Sequence, residues 1–198
     1  MTNHQTFAQA SGLYARYRPT YPPALFAYLA QIAPGHVAVW DCATGNGQAG
    51  RWATDLSVEQ VRAAPPHPQV AYFVSSAESP AIQAKSCNLI TVAQAAHWFD
   101  LDTFYAAARR CLRPGGVLAV WGYAAFSVMP AIDAVVAHTL KALDPYWAWG
   151  SRLLMDGYVD LALRLPRRIR HPRHFASNWI GICRISSPTS APGQPSNA

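Results

Sequence analysis

A short apolar run that breaks into glycines constrains this chain more than any other feature. Residues 37 to 42, Val-Ala-Val-Trp-Asp-Cys, have the length and composition of a strand buried on both faces, and Asp41 is its only charge. Ala43 and Thr44 follow, and then Gly45, Gly47 and Gly50 fall at the spacing G-x-G-x-x-G. A buried strand that feeds a glycine turn brings bare backbone to the end of a sheet, where a ligand can approach closely.

The surrounding chain repeats the alternation that such a turn requires. Pro22 and Pro23 open a helix that carries Leu25, Phe26, Leu29 and Ile32 on one face and stops at Pro34-Gly35. Ser57 with Gln60 forms a capping-box pattern for a short helix ended by Pro65-Pro66. Val70 to Val74 and Asn88 to Ala93 read as strands. Asp100 caps a helix whose Phe104, Ala108 and Cys111 share a side, with Arg109, Arg110 and Arg113 at the end that the helix dipole favours for cations. The Arg-Pro-Gly-Gly turn then leads into Val117 to Trp121. Apolar strands alternating with helices predict an α/β fold, a Rossmann-like and mostly parallel sheet with helices on both faces. Its ligands belong at the carboxyl ends of the strands, so Asp41 to Gly47 should face the cleft.

Composition narrows the class. The chain has 198 residues, 51% of them hydrophobic, enough for one core. No basic segment followed by an apolar one opens it, and Val117 to Ile132 is short for a membrane span and is broken by Gly122 and Pro130, so the expectation is a cytoplasmic protein without a membrane partner. Cys42, Cys87, Cys111 and Cys183 are widely spaced, which suggests neither a metal site nor a disulfide framework. The net charge of +6 comes from one region, because all acids lie at or before Asp160 while Arg164, Arg167, Arg168, Arg170, Arg173 and Arg184 follow them. We therefore divide the chain into an α/β domain, residues 1–165, and a basic, Pro- and Ser-rich, partly disordered tail, residues 166–198. The tail is the sole motive for a nucleic-acid-binding alternative, which the balanced charge of the rest disfavours. His171 and His174 lack partners at ligand spacing.

The glycine turn distinguishes between two ligands. A dinucleotide site wants an acid for the ribose roughly 20 residues beyond its glycines, whereas Asp55 is only ten beyond Gly45. Asp41, at the end of the strand ahead of the glycines, suits the ammonium of S-adenosylmethionine, which has no pyrophosphate to place.

Four segments then resemble one family. Tyr14 to Pro22 (YARYRPTYP), Val39 to Ala49 (VWDCATGNGQA), Thr91 to Asp100 (TVAQAAHWFD) and Leu112 to Tyr123 (LRPGGVLAVWGY) look, in that order, like a class I S-adenosylmethionine-dependent methyltransferase of the type 11 group that includes trans-aconitate methyltransferase-like proteins. The resemblance implies methyl transfer to a small-molecule acceptor, a carboxylate, hydroxyl or amine. It implies a cofactor turn made by Asp41, Ala43, Gly45 and Gly47, with Ala43 where most members have glycine. Asp55 is then the ribose acid, Ala77 and Glu78 lie at the adenine, and Gln94 and His97 flank the cleft. An amine or hydroxyl acceptor needs a base, for which His97 is the candidate, and His97 beside Trp98 equally suits a packing role. Arg16 and Arg18, interleaved with Tyr14, can clamp an acceptor carboxylate or lie on the surface. Trp121 can line the acceptor pocket or belong to the core, and Asp41 can serve the ligand or cap its own loop.

The chain departs from the family in two places. Only seven residues separate Gly47 from Asp55, where members have a full helix and a second strand, and a parallel crossover ordinarily takes a dozen or more. The expectation is a sheet that lacks or shortens the first crossover helix and second strand, so that Asp55 is delivered by an irregular loop or the adenosine half of the pocket is damaged. A cofactor-defective pseudo-methyltransferase or scaffold is the alternative this motivates, with affinity well below that of an intact relative. The second departure is at the end, where residues 175 to 186 suggest one strand without an evident partner.

Overall fold

A computed structural model describes residues 21–33, 35, 38–45, 51–123, 128–147, 149–155, 158, 161 and 179–180. Helix α1 (Pro23–Ile32) precedes β1 (Val39–Cys42), β2 (Trp52–Asp55), α2 (Val58–Ala63), β3 (Ala71–Val74) and β4 (Cys87–Ala93). A 3-10 turn (Ala96–Trp98), α3 (Leu101–Cys111), β5 (Leu112–Tyr123), α4 (Pro130–Leu143), a second 3-10 turn (Asp144–Tyr146), α5 (Trp149–Met155) and β6 (Trp179–Ile180) complete the described elements. The sheet runs β3-β2-β1-β4-β5-β6, parallel except for β6. Tyr14, Arg16, Arg18 and Gly47 lie outside the described residues.

Side-chain alternation splits the core between the two faces of this sheet. Trp40, Ile90, Val92, Leu118 and Val120 pack on one face with Phe104, Ala108 and Cys111 of α3. Leu89, Val117, Ala119 and Trp121 pack on the other with Tyr21 and with Leu25 and Leu29 of α1. Both helices present the faces their sequences predict. Asp100 caps α3 as expected, its Oδ1 accepting from the Thr103 backbone N at 3.3 Å.

The second strand is present. Trp40, Asp41 and Cys42 of β1 pair in parallel with Trp52, Ala53 and Thr54 of β2, so of the two arms of the expectation, a lacking or a shortened second strand, the short strand is the one present, and it ends in Asp55. Ten Cα steps separate Cys42 from Trp52, and they reach about 33 Å when extended. Returning along a four-residue strand and across one strand spacing takes only about 15 Å, so the connection is long enough to reach β2. The seam is fixed at both ends by Arg51 N to Val39 O (2.9 Å) and Thr44 N to Thr54 O (2.8 Å). Between them the Trp40 indole Nε1 donates to Thr54 Oγ1 at 2.9 Å in the core.

Two further differences come from long-range pairing. The Arg-Pro-Gly-Gly segment lies within β5 as an irregularity, where the register jumps from Cys87–Leu112 to Leu89–Val117 and Gly115 takes φ +76°. The late strand finds its partner at the sheet edge, with Tyr123 opposite Trp179 and Gly122 opposite Ile180 in antiparallel register. No described helix is long and apolar enough to cross a membrane.

Candidate active site

The carboxyl ends of β1, β2, β3 and β4 surround a cavity of about 180 Å³. A single water needs only about 10–15 Å³ on a comparable measure, so the space is ligand-sized. Its wall includes Ala43, Gly45, Asp55, Ala77, Glu78 and Gln94, six of the eight residues expected at the cofactor.

The turn after β1 is left-handed at two positions, Ala43 with φ 55° and Gly45 with φ 58°. Glycine takes that conformation freely, while a residue with a Cβ pays about 1–2 kcal/mol for it. Ala43 therefore carries a strain that glycine would not. Ala43→Gly is expected to raise stability by about 1 kcal/mol, read as a higher urea midpoint; a lower midpoint would show that the methyl group packs to advantage.

Asp55 joins the two halves of the turn. Its Oδ2 accepts from Gly45 N and its Oδ1 from Ser57 N, both at 2.9 Å. A carboxylate offers about four lone-pair positions, so it can keep both bonds and still accept from two ligand hydroxyls. The same carboxylate corrects the capping-box reading of α2. Ser57 Oγ accepts from Gln60 N at 3.2 Å as the pattern requires, but the Ser57 N–H that the Gln60 side chain would take is bound by Asp55, a charged and stronger acceptor.

Asp41 occupies a different place. It is buried under the turn, where its Oδ1 accepts from Thr91 Oγ1 at 2.7 Å and its Oδ2 from Thr44 Oγ1 at 2.6 Å. It does not border the cavity. In this arrangement Asp41 orients the turn from beneath, and Thr44 is its intermediary.

Ala77 and Glu78 are carried by the loop after β3. The Arg110 fork holds that loop by donating to Ile82 O at 2.7 Å and Pro80 O at 2.9 Å, a duty beyond the dipole role its position suggests. Glu78 accepts from Ser76 Oγ with one oxygen and from Asp100 N, at 3.1 Å, with the other. Gln94, left-handed at φ 58°, donates from Nε2 to Tyr123 O at 3.1 Å and so ties the ends of β4 and β5 together.

His97 and Trp121 turn away from the cavity. The buried His97 ring sits 4.6 Å from Trp98, and its Nδ1 is 2.7 Å from Tyr158 Oη. Burial lowers its pKa to about 4, so the ring is neutral at neutral pH, and burial raises the Tyr158 hydroxyl. The packing alternative for His97 fits this geometry. Behind it, a Cβ on Gly150 would meet His97 O at 2.4 Å, which explains why glycine lets α5 approach so closely. Trp121 is 2% exposed and packs edge-on against Tyr21 at 5.5 Å, on the core side of its two alternatives. The cavity also exposes residues that sequence reasoning missed, among them Leu56, Ser75, Ser76, Trp98 and Phe99. No residue-type signal marks them, since they depend on strand register and loop path.

Comparison with known proteins gives this geometry its family. A solved structure from Anaeromyxobacter dehalogenans, described as a type II methyltransferase, is 37% identical with a TM-score of 0.71 over 79% of this chain and 70% of that one. The chain belongs to the class I S-adenosylmethionine-dependent methyltransferases. Residues 31–120 match the family model described as a methyltransferase domain. A Dictyostelium discoideum protein named as a methyltransferase is 34% identical over 169 residues, and the match spans 78% of this chain but only 64% of that protein. A structure described as an S-adenosyl-L-methionine-dependent methyltransferase from Methanococcus maripaludis shares the fold at 14% identity, with a TM-score of 0.59 over 95% of this chain.

Proposed function

We propose that this methyltransferase binds S-adenosylmethionine in the cavity at the ends of β1 to β4 and methylates a small-molecule carboxylate. The observation that carries the reading is the bond from Gly45 N to Asp55 Oδ2, which links the glycine turn of β1 to the acid ending β2 inside one cavity wall. The chemistry of the wall fits the cofactor. Left-handed backbone at Ala43 and Gly45 admits the methionine chain, Asp55 retains lone pairs for ribose hydroxyls, and Ala77 with Glu78 lies where the resemblance expects the adenine. Bound there, the cofactor supplies a methyl group already activated as a sulfonium, and the protein's part is alignment and exclusion of water.

The choice of acceptor rests on the base. Among the described residues, the bases on the cavity wall are the carboxylates Asp55 and Glu78, which this reading assigns to the cofactor, and His97 is turned to Tyr158. An amine or hydroxyl acceptor has a proton to lose, whereas a carboxylate does not. The resemblance to trans-aconitate methyltransferase-like proteins points the same way, and Arg16 and Arg18 are the proposed carboxylate clamp, with Tyr14 beside them. Because β2 carries Asp55 to the cavity wall, the motive for a cofactor-defective scaffold narrows to the shortened crossover. Calorimetry with S-adenosylhomocysteine, followed by mass-spectrometric detection of methyl esters from a panel of small acids, tests both levels. Micromolar binding with ester formation is expected; absence of binding by folded protein would refute the reading.

A further inference from the structure

Trp98 stands in the cavity wall with 38% of its surface exposed. A large ring that burial does not hold needs a fixed neighbour if it is to present one surface to a ligand. That neighbour is the buried His97 ring, 4.6 Å away and tilted by 51°. His97 is held in turn by Tyr158, whose ring lies 5.9 Å from it and whose hydroxyl is 2.7 Å from its Nδ1. Tyr158 does not border the cavity.

The backbone of Tyr158 sets it apart from an ordinary core aromatic. It is left-handed at φ 52°, a conformation unfavourable for any residue with a Cβ and retained only where the surroundings over-determine it. Two backbone bonds hold it there, Tyr158 N to Leu153 O at 3.0 Å and Leu161 N to Tyr158 O at 3.1 Å. The ring reaches the end of β5 at Gly122, where a Cβ would stand 3.1 Å from Tyr158 Cε2 and 3.5 Å from Cδ of Gln94, another residue of the cavity wall. One strained residue thus backs the wall at both of the points that Gln94 and Trp98 supply.

We propose that Tyr158 is a positioning residue for ligand binding, which through its bond to His97 holds the Trp98 ring in the cavity wall; the role rests on the S-adenosylmethionine reading above. Without the hydroxyl, Nδ1 of a buried ring loses its partner, and the ring turns to seek another. Trp98, adjacent in sequence and in ring contact, is then free to take more than one orientation. A ligand has to order it again on binding, which weakens affinity without removing any group that touches the ligand.

The test is a double-mutant cycle on the full chain, read by calorimetry with S-adenosylhomocysteine. Tyr158→Phe keeps the ring at Gly122 and removes only the hydroxyl, and it should lower affinity about three- to tenfold. Trp98→Ala should lower it at least as far, and Tyr158→Phe added to Trp98→Ala should lower it no further. His97→Phe breaks the same bond from the other side and takes the place of Tyr158→Phe should that variant fail to fold. A residue that only stabilised the fold would lower the melting temperature and leave the affinity of the folded protein unmoved, so binding is measured well below the melting temperature of each variant. An affinity within twofold of wild type in folded Tyr158→Phe, full affinity in Trp98→Ala, or an undiminished loss when the two are combined would overturn the proposal while leaving the cofactor reading standing. Failure of the wild-type chain to bind S-adenosylhomocysteine would overturn both.

Discussion

Asp55→Ala should lower affinity for S-adenosylhomocysteine at least a hundredfold. Asp55 accepts two backbone hydrogen bonds, from Gly45 and Ser57, and in the proposed complex two more from the ribose. A hydrogen bond to a charged group contributes about 1.5–3 kcal/mol, so losing the two ribose bonds alone removes about 3–6 kcal/mol. Each 1.4 kcal/mol is a factor of ten, which sets a range from a hundredfold upward. Losing the Gly45 bond adds to this by releasing the turn that receives the methionine end. Asp55→Asn should fall between the wild-type chain and alanine, because its amide keeps one acceptor oxygen but turns a donor toward one of the two N–H groups. Calorimetry gives the affinities, and thermal unfolding without ligand separates any loss of the folded state. A dissociation constant for Asp55→Ala within threefold of wild type would remove Asp55 from the ribose site.

The fate of this residue shows what the sequence could and could not convey. Helix α3 was legible because its cap, its apolar stripe and the Arg109–Arg110 pair at its end lie within thirteen consecutive residues, Asp100 to Leu112, while Arg113, also expected at that end, falls in β5. The buried strands β4 and β5 were legible because a run of apolar residues specifies burial on both faces without reference to a partner. Strand β2 was not, because four residues give no run, and what makes Trp52–Asp55 a strand is its neighbours: the backbone of β1 and β3 on either side and the indole of Trp40. The rule that parallel crossovers need a dozen residues describes connections that usually contain a helix, and extended reach alone allows a shorter one. Similarly, six cofactor-wall residues were named from the resemblance, but Gln60 was read only as a cap. Its local pattern was correct for the backbone, and its side chain was redirected by a carboxylate five positions earlier.

His97 depends on a partner further away, and its environment predicts a pH dependence of stability. Tyr158 is 61 residues along the chain, and their 2.7 Å contact fixes a ring that burial keeps neutral. The pKa is about 4 in the folded protein, from an ordinary value of 6.5. The folded-state value is depressed, so below about pH 6.5 the unfolded chain binds a proton that the folded chain refuses. Stability from this group is complete above pH 6.5, declines as pH falls toward 4 and levels off below it. One pKa unit corresponds to about 1.4 kcal/mol, which places the decline at up to about 3 kcal/mol. His97→Gln keeps a hydrogen-bonding group for Tyr158 and removes the titration. Urea unfolding at pH 7 and pH 4.5 should show the wild-type chain losing about 2–3 kcal/mol more than His97→Gln across that interval, with carboxylate contributions common to both cancelling in the difference. Equal losses would mean that His97 is hydrated enough to titrate normally, and would reopen its candidacy as a base facing the ligand.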